Sequence, residues 1–212
     1  NMINNLPPLR VITLNKIPVY IRDVSDIEIN SSLHILTEVE EIRLADFKCL
    51  KRKKTFLGVR TIVKELFPNS TIKYSEIGAP FLMHEQQKYI SISHSQTTCS
   101  VSFIDHVIHG LDIEFHSGKA SRLRSRFIHP LEEVLLEGEI EDTLAWSAKE
   151  ALYKVGQSKK MIFKEQLRLL THDRTKRQFK AEILFHDNST RTYLIEYIIE
   201  GEFIVTLAIP YI

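Results

Sequence analysis

The chain has 212 residues, 43% of them hydrophobic, with 28 Lys and Arg against 27 Asp and Glu for a formal net charge of +1. That length and apolar content support one domain, or two small lobes sharing a core, and exclude a disordered chain, while the balanced charge excludes a whole-molecule electrostatic trap for nucleic acid. No apolar run approaches the ~20 residues a membrane helix needs, and the opening Asn1-Met2-Ile3-Asn4-Asn5 lacks the basic-then-apolar order of a secretion signal.

Residues 1–30 are apolar and carry Pro7, Pro8 and Pro18, which predicts an irregular lead-in with one or two short strands, such as 19–21. Thr37 followed by Glu38, Glu40 and Glu41 is a polar cap with acids in the first turn, so a helix starts there. It is expected to run to about Lys48 and to resume over 54–67. There Phe56, Leu57, Ile62, Val63 and Leu66 keep the helical period until Pro68-Asn69-Ser70 stops it. The basic run Lys51-Arg52-Lys53-Lys54 is either a solvated helix face or a clamp for phosphate or an acidic partner, and charge alone does not separate the two. Cys49 and Cys99 are too few for a disulfide framework or a zinc cluster, so two free thiols in a reducing, cytoplasmic setting are expected.

Residues 71–74 predict a strand and Ile77-Gly78-Ala79-Pro80 a turn. A strand over 89–93 ends in Ser93-His94-Ser95, a second covers 99–104 and a third 107–115. A polar loop over 116–121 is the predicted lobe boundary, separating residues 1–115 from 116–212. Helices follow near 130–137 and 142–155, with Gly156 placed to end the second. Strands at 179–185, 192–199 and 203–209 alternate with turn material at His186-Asp187-Asn188-Ser189 and Glu200-Gly201-Glu202. Strands, then helices, then strands make the fold class α+β with largely antiparallel sheets. No internal repeat or low-complexity tract interrupts it.

Three constellations carry chemistry. In Gly110-Leu111-Asp112-Ile113-Glu114, alternation puts Asp112 and Glu114 on one strand face, roughly 6.5–7 Å apart along the chain, within reach of one octahedral cation. Taken alone, this is an exposed strand with surface acids; the isolated Gly110, which permits close backbone approach, argues for more. In Trp146-Ser147-Ala148-Lys149-Glu150-Ala151-Leu152-Tyr153-Lys154, the spacing i, i+4, i+8 aligns Trp146, Glu150 and Lys154 in one helical stripe. A plain Glu150–Lys154 ion pair is the bland account, but the chain's one tryptophan shares the stripe. At Ser93-His94-Ser95, amides and hydroxyls at a strand end suit phosphate oxygens, and a histidine adds charge; the bland account is a capped turn. No Gly-x-Ser-x-Gly elbow, Walker loop or Gly-x-Gly-x-x-Gly is present.

In chain order these pieces resemble the 4′-phosphopantetheinyl transferase superfamily, in its longer, surfactin-type class. The signposts are Arg52 with Arg60, Gly78-Ala79-Pro80, Ile92-Ser93-His94-Ser95, Gly110-Leu111-Asp112-Ile113-Glu114 and the Trp146–Lys154 stretch. Phe127-Ile128-His129-Pro130-Leu131-Glu132-Glu133 looks like the family's segment between the last two. The match spans roughly residues 43–155.

The resemblance implies two similar α+β lobes, each a small, mostly antiparallel sheet packed with helices, in a monomer with the site in the cleft. It also implies magnesium-dependent transfer of 4′-phosphopantetheine from coenzyme A to a serine of an apo acyl or peptidyl carrier protein. On this pattern Asp112, Glu114 and Glu150 hold the metal, Glu150 is the base for the carrier serine, and Lys154 meets the leaving bisphosphate. Ser93, His94 and Arg43, with Gly78 and Pro80 at the adenine side, would bind coenzyme A; Arg52 and Arg60 come second, each either binding the cofactor or holding the lobes together. The family commonly has lysine where this chain has Ala79, which puts a cation near the cofactor in question and names Lys73, Lys88 or Lys51–Lys54 as substitutes. A second expectation is a relative that binds coenzyme A or a carrier without turnover. A third, a nucleic-acid module built on residues 48–54, lacks any reading motif.

Overall fold

The computed structural model describes residues 6–83 and 88–211, so the opening pentapeptide lies outside the described residues. The chain is α+β, with two antiparallel sheets packed by helices. Strands β1 (Arg10–Leu14) and β2 (Ile17–Asp23) form a hairpin. Its two-residue turn, Asn15 and Lys16, has φ of 48° and 62°, the left-handed pair that matches the twist of the flanking strands. A single turn, α1 (Ile29–Ser32), leads to α2 (Glu38–Asp46). Helix α2 starts where the sequence placed a start, because Thr37 and Glu40 cap one another reciprocally: Glu40 N donates to Thr37 Oγ1 at 3.3 Å and Thr37 N to Glu40 Oε2 at 3.1 Å.

Helix α3 (Leu50–Leu66) begins earlier than predicted and takes in the whole basic run on its first turns. It lies on a six-stranded sheet that adds β3 (Thr71–Tyr74), β4 (Pro80–Met83), β5 (Lys88–Ser95) and β6 (Thr98–Ile104) in the order β1-β2-β6-β5-β4-β3. Phe56, Leu57, Ile62 and Val63 of α3 are buried with Ile72, Leu82, Ile90 and Val101 of the strands.

The second sheet has the order β7-β11-β10-β9-β8: β7 (Gly110–Phe115), β8 (Leu167–Asp173), β9 (Gln178–Leu184), β10 (Thr190–Glu200) and β11 (Phe203–Pro210). Helices α4 (Lys119–Phe127) and α5 (Glu139–Gly156) and the short turn α6 (Phe163–Gln166) pack with it. Leu144, Ala148, Ala151 and Leu152 of α5 are buried among Leu167, Phe179, Ile183 and Ile195. Among the described residues no helix is long and apolar enough to cross a membrane.

Three further departures from the sequence expectation have a physical reason in the packing. The carboxylate strand β7 pairs with β11, with Asp112 opposite Thr206, so the chain changes sheet between Ile104 and Gly110 rather than at 115/116. Burial explains it: Leu111 and Ile113 sit with Leu14, Val19 and Ile21 of the first sheet and Val205 and Leu207 of the second, an apolar seam between the two. The polar loop over 116–121 is partly helix, because Gly118, at φ 66°, turns the chain into α4 at Lys119. Strand β8 went unforeseen because it is the open edge of its sheet and carries a bulge between Leu169 and Thr171, which breaks strict alternation.

Candidate active site

A glycine sets the site's geometry. A Cβ on Gly110 would stand 1.8 Å from the carbonyl oxygen of Ala151, so only a residue without one lets α5 settle onto the start of β7. That approach brings the α5 stripe over the β7 acids. Lys154 Nζ donates to Asp112 Oδ1 at 2.9 Å and to the Leu111 carbonyl at 2.7 Å. Trp146 Nε1 donates to Glu114 Oε1 at 3.1 Å, and its ring is held by stacking on Phe163 and an edge contact with Phe127.

The first sheet contributes through alternate serines of β5. Ser91 Oγ accepts from Leu111 N at 2.8 Å, Ser93 Oγ donates to Asp112 Oδ1 at 2.8 Å, and Ser95 Oγ accepts from Phe115 N at 3.0 Å. With no backbone pairing between β5 and β7, these hydroxyls stitch the two sheets together. From α5, Ser147 Oγ donates to Asp112 Oδ2 at 2.9 Å. Ser91 and Ser147 were not singled out from the sequence, and Ser95 was read with Ser93 and His94 as a place for phosphate oxygens. Ser147 was legible in principle, since it stands at i−3 from Glu150 and i−7 from Lys154, on the same helix face.

The electrostatics follow from this crowding. Burial, and then the charge of Asp112, push Glu150 up to about 7; Lys154 only partly offsets them. Burial and Asp112 also raise Glu114. Asp112, Glu114 and Glu150 are therefore close enough to repel one another, with Lys154 as the ammonium among them. In its present arrangement no group of three or more His, Cys, Asp or Glu side chains among the described residues forms a ready metal cage. The donor chemistry nonetheless fits a hard divalent cation: three carboxylates against one ammonium leave negative charge uncompensated when all are ionised, and burial with the Asp112 charge raises the pKa of the other two.

Glu150 carries a pH consequence. Its folded pKa lies above the ordinary 4.5, so its contribution to stability is complete below about pH 4.5 and is lost as pH rises through about 7. In metal-free protein, Glu150→Gln is therefore expected to raise the melting midpoint relative to wild type by a margin that grows between pH 5 and 8. Thermal melts in chelator measure this, and a margin independent of pH would refute the buried, charge-repelled environment.

The other candidates divide. Gly78, Ala79 and Pro80 line a cavity of about 210 Å³ together with Ile92, Tyr153 and Lys154, so the turn and the catalytic helix face one space. The cations reaching it are Lys154 and Lys159, the latter donating to the Glu76 carbonyl at 3.2 Å; Lys73 and Lys88 line other clefts. His94 accepts from Arg52 through Nε2. Burial, then the nearby Arg52 and Lys154 charges, push the imidazole down to about 4, so the positive charge here belongs to Arg52 and not, as the sequence suggested, to His94. Arg43 is exposed and stacks on Tyr74, 4.3 Å from the ring centroid, lining a separate cleft with Arg60. Arg60 is buried and spends its guanidinium on Glu40 at 3.0 Å, Tyr74 Oη at 3.2 Å and the face of Phe56. All its partners belong to the first sheet and its helices, so its place is in packing rather than in the cleft.

No family model matches the chain, and no curated protein matches it.

Proposed function

We propose that this protein is a magnesium-dependent 4′-phosphopantetheinyl transferase with the two-lobed fold of that family, moving the phosphopantetheine arm of coenzyme A to a serine of an apo carrier protein. The observation that carries this reading is Lys154, which lines one cavity with the Gly78–Pro80 turn and donates to Asp112, whose charge raises both Glu114 and Glu150.

In the reaction the carrier serine oxygen bonds to the phosphorus bearing the pantetheine. The bond from that phosphorus to the bridging oxygen breaks, and adenosine 3′,5′-bisphosphate leaves with the electron pair. Magnesium on Asp112, Glu114 and Glu150 would neutralise the pyrophosphate and the charge developing on its oxygens. Glu150 takes the serine proton directly where a water fills its place on the metal, and through a water where it ligates. Lys154, anchored on Asp112 Oδ1 and the Leu111 carbonyl, sets an ammonium beside the leaving phosphate. Arg52, accepted by neutral His94, supplies a second cation for cofactor phosphates.

Carrier docking fits the face of α4. Arg124 is occupied by Glu133 and Asp142, but Arg122 and Arg126 form no ion pair among the described residues. Reversing both arginines to glutamate is expected to raise KM for an acidic carrier several-fold and to blunt its salt dependence, leaving KM for coenzyme A unchanged. Steady-state kinetics at two ionic strengths checks this.

The test of function is incubation with coenzyme A, magnesium and a panel of apo-carriers, read by intact mass. Addition of one phosphopantetheine to a carrier, dependent on magnesium, is expected. Binding of coenzyme A with no transfer to any carrier would favour a non-catalytic binder, and no binding at all would reject the assignment.

A further inference from the structure

Asp112 is 4% exposed and accepts three hydrogen bonds from two elements, one from β5 and two from α5. Oδ1 takes the Ser93 hydroxyl of β5 at 2.8 Å and the Lys154 ammonium at 2.9 Å; Oδ2 takes the Ser147 hydroxyl of α5 at 2.9 Å. A serine hydroxyl has one proton to give. Ser93, 6% exposed, spends it on Asp112, so it has none left for a phosphate oxygen. Ser147, fully buried, spends its proton the same way, and its own oxygen lies 3.0 Å from Thr206 Oγ1. Thr206, also fully buried, sits opposite Asp112 in the β7–β11 register and lies 3.0 Å from the Ser147 carbonyl, where its proton is accepted. Thr206 thus donates to the Ser147 carbonyl while the Ser147 hydroxyl donates to Asp112, with Ser93 closing on the carboxylate from the opposite sheet.

We propose that Ser93 and Ser147 are positioning residues that clamp the Asp112 carboxylate in one orientation for a divalent cation, and that Ser93 is not a ligand of the cofactor's phosphates. This rests on the transferase reading for the identity of the cation site, and it replaces the phosphate-binding role that resemblance gives Ser93. Both hydroxyls come from packed, regular elements rather than loops, which is what an outer partner needs to hold a ligand's direction. Neither lines the cavity that Gly78–Pro80 and Lys154 share.

The test uses the full chain and Mn²⁺ as the probe, read by electron paramagnetic resonance without substrate, alongside KM for coenzyme A and the melting midpoint. Ser93→Ala and Ser147→Ala are each expected to weaken Mn²⁺ binding roughly 10-fold or more, the range for loss of an outer hydrogen-bond partner. KM for coenzyme A should stay within about twofold, and Ser93→Thr, which keeps the hydroxyl, should restore Mn²⁺ affinity. A phosphate ligand gives the opposite split: Ser93→Ala raises KM for coenzyme A with Mn²⁺ affinity unchanged, which overturns the proposal. Wild-type Mn²⁺ affinity in both alanine variants overturns it as well. Wild-type protein that transfers phosphopantetheine while the variants bind Mn²⁺ normally sinks this inference alone. Wild-type protein that neither binds Mn²⁺ nor transfers sinks the transferase reading and this inference together.

Discussion

Asp112→Asn is expected to abolish magnesium-dependent transfer while leaving the chain folded. The side chain keeps its shape, and the hydroxyls of Ser93 and Ser147 can turn to meet an amide, because each both donates and accepts. What disappears is the ionised carboxylate. Metal-borne stabilisation of a phosphoryl transition state is worth several kcal/mol, so the loss in kcat is expected to be about 10³-fold or more. A second signature separates this from simple damage. Asp112 is the neighbour whose charge helps raise both Glu150 and Glu114. Removing it should return Glu150 towards the ordinary carboxylate range, which a titration of the metal-free variant followed by carboxyl-carbon NMR reads directly. Near-normal turnover by Asp112→Asn, or an unmoved Glu150, would reject the arrangement of acids described above.

Lys149→Met is expected to be the most destabilising single change in α5. Lys149 is fully buried and Glu132 is 1% exposed; their ion pair is 2.7 Å long. The ammonium also donates to the carbonyls of Phe127 at 2.6 Å and Phe163 at 3.3 Å. Burial depresses the lysine to about 8, and Glu132 is what keeps it charged at neutrality. Glu132 in turn accepts from His129 N at 2.6 Å and Leu169 N at 2.7 Å. Removing the lysine strands a carboxylate and two carbonyls in the interior, a loss of about 3–5 kcal/mol. For a chain of this size that lowers the melting midpoint by roughly 6–20 °C. Replacing both partners by apolar residues should recover only part of it, because the amides of His129 and Leu169 then lose their acceptor. A melt within about 2 °C of wild type for Lys149→Met would show that the pair contributes little.

The pair also explains how two stretches distant in sequence come to support one site. Residues 127–133 looked like part of the same pattern as the Trp146–Lys154 helix, but periodicity offered no reason for it. The structure supplies one: Glu132 is the buried counter-charge that pins Lys149, and with it the register of the helix carrying Trp146, Glu150 and Lys154.

Local physics made much of the chain legible in advance. The Thr37 cap, the apolar period of α3, the alternation of β7, the glycine before it and the helical stripe of α5 all depend on residues within a turn or a strand of each other. So the sequence alone determined the α+β class, most of the elements and the two segments that bear the acids. It could not determine which sheet β7 joins, because a strand with one apolar face serves either side equally well until the seam of Leu111, Ile113, Val205 and Leu207 is packed. Nor could it assign the polar residues. Arg60 read as a cation for the cleft and is a buried partner of Glu40; His94 read as a charge and is neutral; Ser93 read as a phosphate donor and has its proton on Asp112. A polar side chain is defined by the partner that satisfies it, and Asp112 lies 19 residues from Ser93, Glu40 lies 20 from Arg60 and Arg52 lies 42 from His94, so only the folded arrangement decides these pairings.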